Sequence, residues 1–177
     1  MQYKIIDRKD IADDFIPLAE IQDMIRQYDP HEDELLSTLR GAAIDFAERY
    51  MNRAIGIKSV LGSIDICQGR HQLPFGDVRE IKSVNLFNGE VLDGFKLHPV
   101  TNELMIPSAH IGKRDAIVSF DVGYDLDQVP HTIKIGCLKL ISTWYESRED
   151  VSFGVSVQKV PFNHLACFDL YRIPAGA

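Results

Sequence analysis

The sequence predicts an α+β fold: a helical bundle, built from a helix pair near the N-terminus and a long helix near the C-terminus, with a small antiparallel β lobe inserted between them. Three observations predict it. Apolar residues recur at helical spacing up to about residue 52 and again from about residue 130. Between these stretches the period drops to two, and that region contains Asn88-Gly89, the strongest short hairpin signal. The whole chain, residues 1–177, is expected to form a single domain with helices at about 17–52 and 130–172 and a β-rich insertion at about 55–124.

The elements follow in order. Pro17 suits a first helical turn, where its missing N–H is not needed, and Leu18, Ile21, Met24 and Ile25 recur at helical spacing as far as Tyr28. Asp29-Pro30 stops that helix. Glu32, Asp33 and Glu34 then supply negative charge for a new N-terminus. Leu35, Leu36, Leu39, Ala42, Ala43, Phe46, Ala47 and Tyr50 trace one apolar face, with Glu34, Arg40, Asp45, Glu48, Arg49 and Arg53 opposite, so this helix is expected to pack on one side only. Strands are expected around Ile57-Lys58-Ser59-Val60, Ser63-Ile64-Asp65-Ile66 and residues 81–87, then at 95–98, 103–106 and 116–122, as a small antiparallel sheet or barrel-like lobe. Pro130 opens a further helix whose apolar face is Ile133, Cys137, Leu140, Ile141, Trp144 and Tyr145. Residues 151–161 carry no charge before Lys159 and read as a loop, and a last short helix is expected at about 162–171.

Composition narrows the function. Of 177 residues, 45% are hydrophobic and 25% charged, an ordinary globular balance that excludes collagen-like and broadly disordered classes. Nineteen Lys and Arg against 26 Asp and Glu give a net charge of −7, the wrong sign for tight binding to phosphates. No apolar run approaches the roughly 20 residues a bilayer span needs, and the opening Met1-Gln2-Tyr3-Lys4-Ile5-Ile6 has no signal-peptide core. Three separated cysteines, Cys67, Cys137 and Cys167, do not form a disulfide framework and suit a reducing cytosol.

Enzyme signatures are missing. The sequence has no Gly-x-Gly loop, no Gly-Lys-Ser/Thr, no Gly-x-Ser-x-Gly elbow, no His-Glu-x-x-His and no Cys-x-x-Cys. No catalytic residue, cofactor or metal is assigned. His164 and Cys167 stand one helical turn apart and share a face, but a lone pair is more often a buried thiol beside an aromatic than a metal site. Cys137 reads as a structural thiol, and His31-Glu32-Asp33 as a solvated helix start. Asp13-Asp14 and Glu146, Glu149 and Asp150 return no set of oxygens to one centre. Trp144-Tyr145 is either an interface anchor or core packing, the commoner outcome for such a pair. A small hydrolase is the enzymatic alternative, with Asp65, His71 and His110 the residues whose alanine variants would reveal it.

Three stretches resemble the head-tail connector (adaptor) proteins of tailed bacteriophages, in the larger variant with a β-rich insertion. The first runs from Ile16-Pro17-Leu18 through Asp33-Glu34-Leu35-Leu36 to Tyr50-Met51-Asn52-Arg53, similar to the family's opening helix pair and its tyrosine-x-x-arginine exit. The second is Val129-Pro130 through Ile133 to Trp144-Tyr145-Glu146-Ser147-Arg148-Glu149, and the third Val160-Pro161 with Leu165 and Leu170-Tyr171-Arg172. Phe162-Asn163-His164 and Cys167-Phe168-Asp169 depart from the family's small aliphatic residues.

The resemblance implies a structural part of the virion neck, made in the host bacterial cytoplasm. Its implied partners are the portal protein, a head-closure (stopper) or tail-completion protein, and further copies of itself in a ring of about twelve. DNA would pass through without sequence-specific binding, and no membrane is involved. The partner-binding residues expected are Trp144, Tyr145, Arg148, Phe153, Val155, Val157, Phe162, Leu170, Tyr171 and Arg172. The helices would form the ring-building body, with the β lobe facing outward or towards a neighbouring subunit. The segment from Val151 would order only on the portal, so that deleting 151–177 would leave a folded monomer unable to bind. The alternatives are another head-closure or tail-completion protein, or an unrelated non-enzymatic α+β binding module; the helical stretches argue against a closure protein, which would be mostly β.

Overall fold

The computed structural model describes residues 2–66, 69–99, 101–111, 115–147 and 164–174. The fold is mixed α+β, and the described residues divide between two compact units. One draws on Met1–Lys9, Asn52–Asp125 and Ile173–Ala177, the other on Asp10–Met51 and Leu126–Arg172.

The β unit holds a four-stranded antiparallel sheet in the order β1 (Gln2–Arg8), β2 (Lys58–Ile64), β7 (Ala116–Val122), β4 (Val78–Leu86). A smaller sheet has the order β3 (Arg70–Gln72), β6 (Glu103–Met105), β5 (Lys96–Leu97). Alternation sets the faces: in β2 and β7 every second residue is buried, which places Val60, Val118 and Phe120 in the core and Ser59, Ser63, Ser119 and Asp121 outside. The register lays Ile5, Val60, Phe120 and Ile81 side by side as one row across the buried face. On the other face Asp121 accepts from Ser59 Oγ at 2.7 Å and pairs with Lys82 Nζ at 2.7 Å. The Asn88-Gly89 hairpin forms as expected, with Gly89 at φ 87° and Leu86 donating to the Glu90 carbonyl at 2.8 Å. Gly123, at φ 111°, lies so close to the Gly56 carbonyl that a Cβ has no room.

Strands β1 and β3 were not anticipated. β1 escapes sequence logic because its alternation, Tyr3 and Ile5 against Gln2 and Lys4, is short and is broken by the register shift between Ile5 and Asp7, and all seven of its residues are exposed. The expected pair of runs at 57–66 is one strand, β2.

The helical unit contains α1 (Ala12–Phe15), α2 (Leu18–Ile25), α3 (Asp33–Met51), α4 (His131–Glu146) and α5 (His164–Asp169). Pro17 and Pro130 precede α2 and α4 as expected. α2 ends at Ile25 because Arg26 turns left-handed at φ 55°, and Met24 and Tyr28 are exposed rather than packed.

The expectation that α3 packs on one side only is corrected, because Arg40 and Glu48 on its charged face are buried. Arg40 reaches the segment ahead of α2: it donates to the Ile16 carbonyl at 3.2 Å, to Ser37 Oγ at 3.3 Å, and pairs with Asp13 at 2.6 Å. A charged side chain reads as solvent-facing in a sequence, yet here both terminal guanidinium nitrogens of Arg40 find acceptors and only the buried Nε lacks one.

The expectation that everything from Val151 waits for a partner is also corrected: Phe168 of α5 is fully buried in the free chain. The cause is Gly136 on α4, whose missing side chain leaves a notch for the Phe168 ring. Residues 148–163, including Arg148, Phe153, Val155, Val157 and Phe162, lie outside the described residues.

Candidate interaction surfaces

The helical unit gathers several of the expected partner-binding residues around one aromatic cluster. Phe46 on α3 stacks on Tyr50 with ring centres 6.0 Å apart, meets Trp144 of α4 edge-on at 6.1 Å, and faces His164 and Phe168 of α5 at 6.3 and 6.4 Å. Such pairs contribute about 0.5–1.5 kcal/mol each beyond burial. Trp144 therefore packs within its own subunit, and Tyr145 beside it is half-buried. The Tyr50 hydroxyl donates to Asp169 at 2.7 Å, which raises its pKa, and the Arg172 guanidinium lies over the Tyr50 ring at 5.1 Å. These contacts tie α5 and the turn after it to α3. Leu170 is 72% exposed, the most exposed large apolar residue described, and Tyr171 is half-buried.

Two titratable groups of this unit are held in their neutral forms. The Cys137 thiol, buried and near Glu48, is pushed up to about 12, where no reactive thiolate exists at neutral pH. Burial lowers the His164 pKa, favouring the neutral ring between aromatics. Among the described residues no three His, Cys, Asp or Glu side chains converge on a metal position. Asp65 follows β2, His71 lies in β3 opposite Leu104, and His110 ends the single turn Ser108–His110. No described helix is long and apolar enough to cross a membrane.

Arg53, at the tyrosine-x-x-arginine exit, has a role internal to the β unit. It bonds the Asp77 carboxylate, donates to the Tyr124 hydroxyl at 2.8 Å and pairs by backbone with Phe75. This fixes the entry to β2 and the start of β4 against the end of β7.

The second surface is one that sequence reasoning missed: the outer strand β1. Tyr3, Ile5 and Ile6 are 52%, 41% and 55% exposed. An open groove of about 280 Å³ runs from Tyr3 and Lys4 past Leu61 and Ile117 to Phe87. The only signal in the sequence was the β-branched pair Ile5-Ile6 next to Tyr3, too short to separate from any apolar run.

The chain matches no protein-family model and no curated protein. Its fold does match solved structures along its whole length. It superposes on a chain of the neck of an empty gene transfer agent particle, computed with sixfold symmetry, with TM-score 0.77 and 18% identity, covering 100% of this chain and 99% of that one. A chain from the native particle's neck, computed with twelvefold symmetry, gives 0.74 at 18% identity, and one from the native virion 0.72 at 19%, each with the same coverage.

Proposed function

We propose that this chain is a structural, non-enzymatic part of the head-tail junction of a tailed phage or phage-like particle. It is an adaptor that forms a closed ring beneath the portal and presents a docking surface to the head-closure or tail components. One observation carries this: the match to neck chains runs end to end through both the helices and the β lobe, rather than over a single common motif. The three sequence stretches that resemble connector proteins fall mainly on α2, α3, α4 and α5, so the two lines of support meet on the same elements.

The physical properties suit the role. A conduit component has to let a polyanion slide, and a net charge of −7 per copy repels phosphate, an effect that sums around a ring. A ring of identical copies needs two different, complementary patches on each subunit. It also needs a separate face for the portal. The exposed Leu170, on a turn that Phe168 and Arg172 anchor, supplies that face in this proposal together with the residues from Arg148 to Phe162.

The test is cryo-electron microscopy of the protein mixed with intact portal rings of the same particle, after co-migration on a sizing column. A ring of copies on the outer end of the portal supports the adaptor role. No association with an intact portal moves the assignment to a later head-closure or tail-completion part. Because α5 is packed in the free chain, the portal-contact variant should be Leu170→Asp with a Gly-Ser replacement of residues 151–161, not removal of everything after Val151.

A further inference from the structure

We infer that the outer strand β1 is the seam between copies: its free edge takes the free edge of β4 from a second copy, in antiparallel register, so that the four-stranded sheets run on from subunit to subunit. The inference rests on the ring assignment above and names the surfaces that close it.

Among the described residues both edges of the sheet are open. Among the described residues β1 pairs only with β2, and β4 pairs with β7 on one side and on the other is covered only at its far end, by the Asn85–Val91 bridge and the Leu92 N–H to the Val84 carbonyl. Residues 78–83 are left as free edge, a length comparable to the seven residues of β1. Unpaired edges are a template for another strand.

Strand direction selects the occupant. The order β1-β2-β7-β4 is antiparallel throughout, so β1 and β4 run in opposite directions. A β4 edge meeting the next copy's β1 therefore keeps the alternation, and one copy related to the next by rotation makes the same contact repeatedly. That is the heterologous, ring-generating kind of interface; a β1–β1 contact would stop at a dimer.

Side chains select the register. The apolar row Ile5, Val60, Phe120, Ile81 is closed in the middle, where Val60 and Phe120 are fully buried, and open at its ends, where Ile5 is 41% exposed. Setting Ile81 opposite the next copy's Ile5 makes the row continuous. The register shifts between Ile5 and Asp7 in β1 and, in β4, between Val78 and Glu80 and between Ile81 and Ser83, with Lys4 nearby, are features that discourage casual pairing of an edge, so the seam closes where a template holds copies together. Four strand spacings of about 4.8 Å set a repeat of about 19 Å per copy at the sheet.

The closing experiment uses two single variants, Ile6→Cys and Glu80→Cys, in a Cys67→Ser, Cys167→Ser background, with a short bis-maleimide crosslinker and intact portal rings. Mixed together they should give covalent dimer at twice the 20.0 kDa chain mass, at least tenfold above either variant alone. Equal crosslinking by Ile6→Cys alone overturns the inference in favour of a β1–β1 contact. In parallel, Ile5→Lys with Ile6→Lys should bind the portal as scattered copies and lose closed rings. If that variant still closes rings, or wild-type rings show a sheet repeat far from 19 Å, the seam lies elsewhere while the ring assignment stands. If the folded variant no longer reaches the portal at all, β1 touches the portal instead of a second copy. Failure of the wild type to form any ring removes the functional proposal itself.

Discussion

Gly136→Ala is the sharpest single perturbation of the helical unit. In the interior of a helix such as α4, replacing glycine by alanine normally stabilises by up to about 1 kcal/mol. Here an added Cβ would lie 2.6 Å from Phe168 Cε1 and 3.0 Å from Cys167 Cβ, distances that force α5 to move. The Phe168 ring cannot swing aside, because Phe46, Tyr50 and His164 surround it. Displacing it forfeits about 2–3 kcal/mol of burial, which outweighs the helix gain and leaves the docking of α5 weaker by about 1–2 kcal/mol. That change raises the undocked population about 5- to 30-fold. Labelling of Cys167 with a thiol reagent, in a Cys67→Ser background, should accelerate by the same factor. Cys137, buried and held protonated, should stay slow. The melting temperature should fall by about 2–8 °C, using roughly 2–4 °C per kcal/mol for a chain of this size. Unchanged Cys167 labelling together with a raised melting temperature would refute the notch, leaving only helix propensity at work.

Three further outcomes can be checked by standard methods. Gly123→Ala should lower stability by about 3 kcal/mol or more in urea unfolding, since it combines a positive φ with a collision against the Gly56 carbonyl. Arg40→Ala should cost about 1–3 kcal/mol, because the Ile16 carbonyl loses its donor inside the helical unit, whereas Asp13→Ala, on a side chain 87% exposed, should cost under about 1 kcal/mol. Burial alone would raise the Asp121 pKa, but bonds from Lys82 and Ser59 outweigh it and bring it below the ordinary carboxylate value. Its contribution is thus fully present above the unfolded value of about 3.9 and is lost as pH falls through the lower folded value. Unfolding curves of wild type and Asp121→Asn should differ at neutral pH and converge in strong acid.

The long helices were legible because their apolar residues repeat over many turns: Leu36, Ala43 and Ala47 on α3 and Ile133, Cys137 and Leu140 on α4 are all buried where the period puts them. β7 was legible as a strict alternation from Ala116 to Val122. What stayed hidden depends on partners far away in the chain. Nothing near Arg40 announces that the Ile16 carbonyl will meet it, and nothing near Gly136 announces Phe168. Trp144 stood out as a residue of interest, yet its contact, Phe46, lies nearly a hundred positions earlier. β1 was hidden for a local reason: its alternation of Tyr3 and Ile5 with Gln2 and Lys4 is only four residues long before the register shift breaks it.

The separation of β1 from the rest of its sheet has a consequence for how the molecule is made. Tyr3 pairs with Gly62, and Val60 in turn with Phe120, so β1 is synthesised well before β2, and β7, the other central strand of this sheet, comes last of its four. At about 5–20 residues per second, Gln2–Arg8 is exposed for roughly 3–12 s before β2 exists, and for about as long again before β7 gives β2 a second neighbour. Lys4, Asp7 and Arg8 put charge on this strand throughout that interval, and charge on an unpaired strand opposes aggregation.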